Sequence, residues 1–176
     1  MDDTLVLVDL FDNEIGKASK KEVHEKGLLH RAFSVFMVSD GRMLIQKRNW
    51  NKYHSGGLWT NACCSHPRYG ELLDEAVIRR IKEELGITTQ FDKVFSFVYR
   101  STFKNGITEY EYDYVFISDY NGNIEPDVDE IEEYKWVGLD DLADDLVNNP
   151  DKYTVWFQIA APKVLELVYE SDEEDN

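Results

Sequence analysis

The segment that most constrains the fold is a strongly amphipathic stretch covering residues 71–85. Arg79 and Arg80 each have a glutamate four positions later, and Gly86 follows the last apolar residue. The apolar residues recur at the spacing of one helical face: Leu73, Ala76, Val77, Ile81 and Leu85. This pattern predicts a helix over residues 71–85 that packs one face against the rest of the protein.

Segments with the alternation or β-branched content of strands lie on both sides of this helix. They cover residues 4–10, 33–38, 43–47, 94–102, 109–117 and 133–137, with extended chain over residues 58–64. Turn residues follow the first strand at 12–16, and two further helices are predicted over residues 139–147 and 155–169. This order predicts a mixed β-sheet flanked by helices, in the α+β or α/β class.

The length of 176 residues leaves room for one domain with a substantial core. The run of acidic residues that begins at Glu170 is typical of a disordered segment, because like charges repel along the chain. We therefore expect a single domain over residues 1–169 and a disordered acidic tail over residues 170–176.

The apolar runs are far shorter than the roughly 18 residues that a membrane span needs. The N-terminus lacks the basic start and apolar block of a secretory signal, so we expect a protein that does not cross a membrane and resides in the cytoplasm. Cys63 and Cys64 are neighbours in sequence and cannot form an ordinary structural disulfide. Their use is therefore expected to be chemical or a matter of packing.

The net charge of −16 argues against a nucleic-acid partner, because binding to phosphate backbones needs a basic surface. Most of the acidic residues lie between residues 105 and 151 and in the tail. Residues 20–52, in contrast, are rich in lysine and arginine. This stretch could receive a small anion, although a solvated surface explains most of these side chains equally well.

The helix itself belongs to a longer motif, residues 70–87 (GELLDEAVIRRIKEELGI). It resembles the Nudix box, a loop-helix-loop that binds a divalent metal and a diphosphate. Two positions depart from that pattern, since Ser65 stands where the box begins with glycine and Arg80 stands where a glutamate follows the arginine. A cation thus replaces one of the usual metal-binding carboxylates, which disfavours a hydrolase.

Three other segments resemble type I isopentenyl-diphosphate isomerases: residues 59–67 (WTNACCSHP), 29–34 (LHRAFS) and 109–112 (EYEY). The resemblance runs in the same order over residues 4–168. It implies an α/β/α Nudix-type fold and the interconversion of isopentenyl diphosphate and dimethylallyl diphosphate in isoprenoid biosynthesis. A monomer or a homodimer would be compatible with it.

Period-two spacing places Glu109 and Glu111 on one face of a strand, where two carboxylates repel unless a cation lies between them. Imidazole and carboxylate together suit Zn²⁺, Mn²⁺ or Mg²⁺, and three histidines lie in or beside loop-like sequence. The resemblance assigns one divalent metal to five residues, with the thiol of Cys64 close by: His24, His30, His66, Glu109 and Glu111. His54 has no counterpart in it and is expected to be a surface or hydrogen-bonded histidine.

The remaining roles also come from the resemblance. Cys64 and Glu111 would be the acid-base pair, with Tyr99 beside Glu111 and Trp156 lining an apolar pocket, because moving a double bond requires adding one proton and removing another through a tertiary carbocation. Glu84 would hold Mg²⁺ with the diphosphate. The residues that would contact the diphosphate are Lys20, Arg48, Lys52, Ser65 and Arg80.

Two other functions remain open from the sequence. A Nudix diphosphate hydrolase would need a carboxylate at Arg80 and would have no use for Cys64. A non-catalytic, metal-dependent diphosphate-binding module would not need Cys64, Glu111 and Tyr99 together.

Overall fold

The computed structural model describes residues 4–174, which contain nine strands and four helices. The strands are β1 (Thr4–Val8), β2 (Glu14–Ser19), β3 (His30–Ser39), β4 (Arg42–Arg48), β5 (Trp59–Thr60), β6 (Cys63–Ser65), β7 (Asp92–Thr102), β8 (Thr108–Ser118) and β9 (Ile131–Gly138). The helices are α1 (Lys20–Lys26), α2 (Leu73–Leu85), α3 (Leu139–Asn148) and α4 (Val155–Glu174). No described helix is long and apolar enough to cross a membrane.

Strand β3 is the centre of a mixed sheet. It pairs antiparallel with β1, β6 and β4 in succession, and it pairs in parallel with β8 along most of its length. Strand β7 extends the sheet beyond β8, β9 and β5 pair with β4, and β2 pairs with β1. The parallel register places His30 beside Glu111.

Each face of β3 packs against a different helical layer. Phe33 and Val35 point towards α2 and pack with its buried residues, whereas Phe36 and Val38 point towards α3 and α4. Alternating residues of a strand point to opposite faces, so one strand contributes to both cores. The predicted α+β class, with helices on both faces of a mixed sheet, is confirmed.

The sequence prediction missed β2 and α1. Strand β2 buries only one residue, and α1 is a seven-residue helix of mostly charged side chains, so neither carries a clear apolar period. The hydroxyl of Ser19 accepts a hydrogen bond from the Glu22 backbone at the start of α1, and Gly27 ends it at φ 62°. As a result His24 lies on a helix and His30 opens a strand, rather than lying in loops.

The acidic segment predicted to be disordered from residue 170 is helical as far as Glu174. The Tyr169 hydroxyl donates to Asp140 of α3 at 2.6 Å, and the Ser171 hydroxyl donates to the Val168 carbonyl. These contacts continue α4 past its last buried turn. Residues 175 and 176 of the predicted tail lie outside the described residues.

Candidate active site

A cavity lies where β6, β8 and the first turn of α4 meet α2 and the loop of residues 49–57. Most of the predicted site residues line it, and His24 and His30 lie behind its wall. The lining includes Lys20, Arg48, Lys52, Cys64, Ser65, His66, Arg80, Glu84, Tyr99, Glu109, Glu111 and Trp156. It also includes side chains to which the sequence assigned no role: Gln46, Tyr53, His54, Asp113 and Glu130.

Four of the predicted metal ligands form one compact group. The ligand atoms of His24, His30, His66 and Glu109 all lie within 4.8 Å of one another. The Nε2 atom of His24 is 2.7 Å from Glu109 Oε1, and that of His30 is 3.7 Å from Glu109 Oε2. This group joins α1, the start of β3, the segment after β6 and the start of β8.

The hydrogen bonds of these histidines suit a metal centre. His24 Nδ1 is 2.5 Å from the Lys20 carbonyl and His30 Nδ1 is 2.9 Å from the Leu28 carbonyl, and a carbonyl only accepts, so both Nδ1 atoms carry the hydrogen. In the neutral rings each Nε2 then offers a lone pair towards Glu109. The buried atoms His30 Nε2 and Glu109 Oε2 have no hydrogen-bond partner. A divalent cation would satisfy both, so these residues fit one.

Glu111 lies at the edge of this group rather than within it. Its Oε2 is 3.4 Å from His66 Nε2, and its Oε1 accepts a very short hydrogen bond from the Tyr99 hydroxyl. Glu109, Glu111 and Asp113 are all buried, whereas the tyrosines between them are partly exposed. The predicted alternation along this strand is therefore confirmed.

The two glutamates differ in protonation. Burial would raise the pKa of Glu109, but hydrogen bonds from His24 and His54 outweigh it and hold the pKa well below its usual range. Burial and the nearby charges of Glu109 and Asp113 raise the pKa of Glu111 well above its usual range. Glu109 is thus the permanent anion, and Glu111 is the carboxyl group able to carry a proton.

Two of the three histidines, His30 and His66, are held neutral, whereas His24 is not. Burial lowers the pKa of His30 to about 4 and, with the charge of His30, that of His66 well below its usual range. For His24, burial opposes protonation, but the hydrogen bond and charge of Glu109 outweigh it and raise the pKa. A proton on His24 Nε2 or a metal ion can hold the contact with Glu109.

The adjacent cysteines point to different surroundings. Cys63 is fully buried in the core beside α2, whereas Cys64 is half-buried and lines the cavity. Strand β6 pairs Cys64 with Ser34 of β3. Burial raises the pKa of the Cys64 thiol to about 12, so the sulfur holds its proton at neutral pH.

The basic residues of the cavity are partly neutralised by two carboxylates. Arg80 forms a very short ion pair with buried Glu84, and Lys52 forms one with Glu130. Glu130 Oε1 is also 3.8 Å from Arg80. Glu84 therefore lies apart from the His/Glu group, among the cations predicted to bind diphosphate.

The aromatic wall is formed by Trp156 and Tyr99, whose ring centroids are 6.4 Å apart. The Arg48 guanidinium lies 5.2 Å from the Trp156 ring, and the Lys20 ammonium lies 5.2 Å from that of Tyr53. Cations and aromatic faces thus share one side of the cavity.

Two contacts in this site were missed from the sequence. His54 is buried and its Nε2 lies 2.8 Å from Glu109 Oε1, although no motif associated it with the metal group. Glu130 lies in a long acidic segment, and no feature of that sequence distinguishes it from the other acidic residues around it. Both residues reach the site through tertiary contacts of loops.

Comparison with known proteins agrees with this geometry. The NUDIX domain family matches residues 28–157, and this chain belongs to it. The structure resembles DR0079 from Deinococcus radiodurans, with a TM-score of 0.68 and 18% identity over 83% of this chain and 90% of the other. It also resembles a MutT NUDIX hydrolase from Burkholderia pseudomallei, with a TM-score of 0.60 and 27% identity over 78% and 96%.

Within that class the chain is a member of the isopentenyl-diphosphate Delta-isomerase family. It is 51% identical to isopentenyl-diphosphate Delta-isomerase 2 of Photorhabdus laumondii, over 90% of each chain. It is 44% identical to isopentenyl-diphosphate Delta-isomerase of Serratia proteamaculans, over 89% of this chain and 88% of the relative.

Proposed function

We propose that this chain interconverts isopentenyl diphosphate and dimethylallyl diphosphate in isoprenoid biosynthesis. The observation that carries the proposal is the convergence of a protonated thiol, Cys64, and a proton-carrying carboxyl, Glu111, on one cavity that also holds basic side chains. One proton is added to a carbon of the substrate and another is removed from a different carbon, so the double bond moves and the proton count is unchanged.

The acid-base pair is Cys64 and Glu111. Cys64 lies on β6 and Glu111 on β8, and these strands both pair with β3, which supports a substrate bound between the two groups. The hydroxyl of Tyr99 donates to Glu111 and fixes its orientation. One group gives a proton to the substrate while the other, in its deprotonated form, takes one from a different carbon, and the two exchange roles in the reverse direction. A divalent cation bound beside Glu111 would favour the carboxylate form that such a base requires.

The intermediate would be a tertiary carbocation, which water would trap. Trp156 is 4% exposed and Tyr99 is 5% exposed, so their rings form a dry wall beside the acid-base pair. An aromatic face attracts a cation by about 0.5–2 kcal/mol. These two residues are therefore proposed to protect and stabilise the positive charge.

The diphosphate would bind to Lys20, Arg48, Lys52 and Arg80 and to the backbone near Ser65. Because Glu130 and Glu84 pair with Lys52 and Arg80, the incoming phosphates would have to compete with or share these contacts. Mg²⁺ bound with the diphosphate at Glu84 would relieve the repulsion between phosphates and carboxylates.

One divalent ion, Mn²⁺, Zn²⁺ or Mg²⁺, is proposed at His24, His30, His66 and Glu109, with Glu111 at its edge. It would supply a fixed positive charge that offsets the repulsion among the buried carboxylates of β8. Outside this group, Tyr99 and the strand pairing hold Glu111 towards the cavity.

The test is incubation with isopentenyl diphosphate in deuterated water while deuterium in the product and phosphate release are followed together. We expect deuterated dimethylallyl diphosphate and no phosphate release. Cys64→Ser should lower kcat by about 10²–10⁴-fold, because a hydroxyl is much less acidic than a thiol. Cys63→Ser is the matched control, since that sulfur lies in the core and the variant should keep most activity.

Other outcomes point to the alternatives. Phosphate release without deuterium incorporation would indicate a hydrolase, which the cation Arg80 in the Nudix helix disfavours. Substrate binding with neither signal would indicate a binding module. Equal losses in the two cysteine variants would contradict the role of Cys64.

A further inference from the structure

The loop of residues 49–57 folds over the metal group and brings His54 to it. Its two ends are joined by hydrogen bonds between the backbones of Arg48 and Leu58 and of Gly57 and Arg48, both 2.9 Å. In its middle, the Asn105 side chain donates to the Tyr53 carbonyl at 2.6 Å. The loop that carries His54 is therefore anchored at its ends to strand β4 and in its middle to the turn between β7 and β8.

The ring of His54 is fixed on several sides. It stacks on Phe103 with centroids 4.3 Å apart and planes 6° apart, and it meets Trp156 edge-on at 5.9 Å. Its Nδ1 is 3.0 Å from the Ser55 hydroxyl, and its Nε2 is 2.8 Å from Glu109 Oε1. The imidazole thus has one orientation, with one nitrogen directed at the metal-binding carboxylate.

The hydrogen bonds distinguish His54 from the predicted ligands. In His24 and His30 a backbone carbonyl holds the hydrogen on Nδ1 and leaves Nε2 with a lone pair. The partner of His54 Nδ1 is a hydroxyl, which can donate, so the hydrogen of a neutral His54 can sit on Nε2 and point at Glu109. His54 is thereby arranged as a donor to the carboxylate, whereas the others are arranged as ligands.

We propose that His54 is a positioning residue for the metal site: its Nε2–H donates to Glu109 Oε1, the oxygen that also faces His24, and so turns Oε2 towards His30 Nε2. Glu109 Oε2 is the oxygen without a hydrogen-bond partner and lies 3.7 Å from His30 Nε2. This assignment rests on the proposed metal site and adds a residue to it. It gives a role in the site to a histidine that the sequence predicted to be only a surface or hydrogen-bonded residue.

The test measures binding of Mn²⁺ and of Zn²⁺ to the purified chain without substrate, by competition with a chelator. His54→Gln keeps an N–H near the position of Nε2, whereas His54→Phe keeps the stacking on Phe103 but has no donor. We expect His54→Gln to bind nearly as tightly as the parent and His54→Phe to bind about 10- to 100-fold more weakly, the usual cost of losing such a partner.

His54→Leu provides a second donor-free variant if the larger ring disturbs folding, and thermal unfolding in chelator reports whether each variant is folded. Donor-free variants that bind metal like the parent would overturn the inference. So would a His54→Gln variant as weak as His54→Phe, because His54 would then be a ligand itself. A parent chain that binds neither ion would refute the proposed metal site, and with it this role of His54.

Discussion

At the scale of single residues, Asp113 is a buried carboxyl group whose ionisation is disfavoured by the fold. Its Oδ2 accepts a hydrogen bond from the Ser34 hydroxyl at 2.8 Å, while its buried Oδ1 has no partner among the described residues. Burial raises the pKa of Asp113 to about 8, so the protonated form is favoured in the folded state. In the unfolded chain the same carboxyl titrates near 3.8.

This difference predicts a stability that depends on pH. Between about pH 4 and pH 8 the folded state holds a proton on Asp113 that the unfolded state lacks, so stability falls as pH rises. Asp113→Asn removes this loss, and its advantage over the parent should grow by up to about 1.4 kcal/mol per pH unit in that window.

Urea unfolding of the metal-free proteins across this pH range measures the effect. Asp119→Asn serves as the control, because Asp119 is an exposed aspartate just beyond the end of the same strand. The account of Asp113 fails if both variants follow the parent at every pH.

At the scale of elements, helix α2 carries two neighbouring arginines that both contact Glu83 but otherwise have different partners. Arg80 points to the cavity and contacts Glu84 and Glu130, whereas Arg79 lies over Glu71 at the start of the box. One helix therefore carries a proposed substrate contact and a structural ion pair at adjacent positions.

Substitution of the two arginines by glutamine should separate these roles. Arg80→Gln is expected to raise KM by roughly 10- to 100-fold, since a hydrogen bond to a charged group contributes about 1.5–3 kcal/mol. Arg79→Gln should leave KM close to that of the parent. Steady-state kinetics at fixed Mg²⁺ measures both KM values. An equal KM for the two variants would show that Arg80 does not contact the substrate and serves only as an ion-pair partner on the helix surface.

The elements differ in how far sequence alone predicts them. Helix α2 and strands β3, β4, β7 and β8 follow from continuous apolar periods, and the face of Glu109 and Glu111 follows from strand geometry. The loop of residues 49–57 has no such period, because its shape depends on contacts such as that of Asn105 with Tyr53. The position of His54 was therefore not predictable from local pattern.

At the scale of the whole molecule, the metal group connects parts of the chain that are far apart in sequence. Its proposed ligands come from α1, β3, the segment after β6, and β8. An ion that binds only the folded state adds stability by mass action, about 2.7 kcal/mol at a free concentration 100 times Kd.

Removal of metal should therefore lower the Tm of the parent chain. Differential scanning calorimetry with Mn²⁺ or Zn²⁺, and again with excess chelator, measures the shift. His66→Ala, which lacks one ligand, should show a much smaller shift at the same ion concentration. If neither the ion nor the chelator changes the Tm of the parent chain, a metal site that stabilises the folded state is excluded.

The parallel pairing of β3 with β8 also sets an order of events during synthesis. His24 and Glu109 are 85 residues apart, and the three histidines proposed as ligands leave the ribosome before Glu109 does. Pairings of such long sequence separation form slowly, because a large loop must close first. A nascent chain can thus offer isolated imidazoles to ions, but the proposed set of ligands is complete only once β8 has paired with β3.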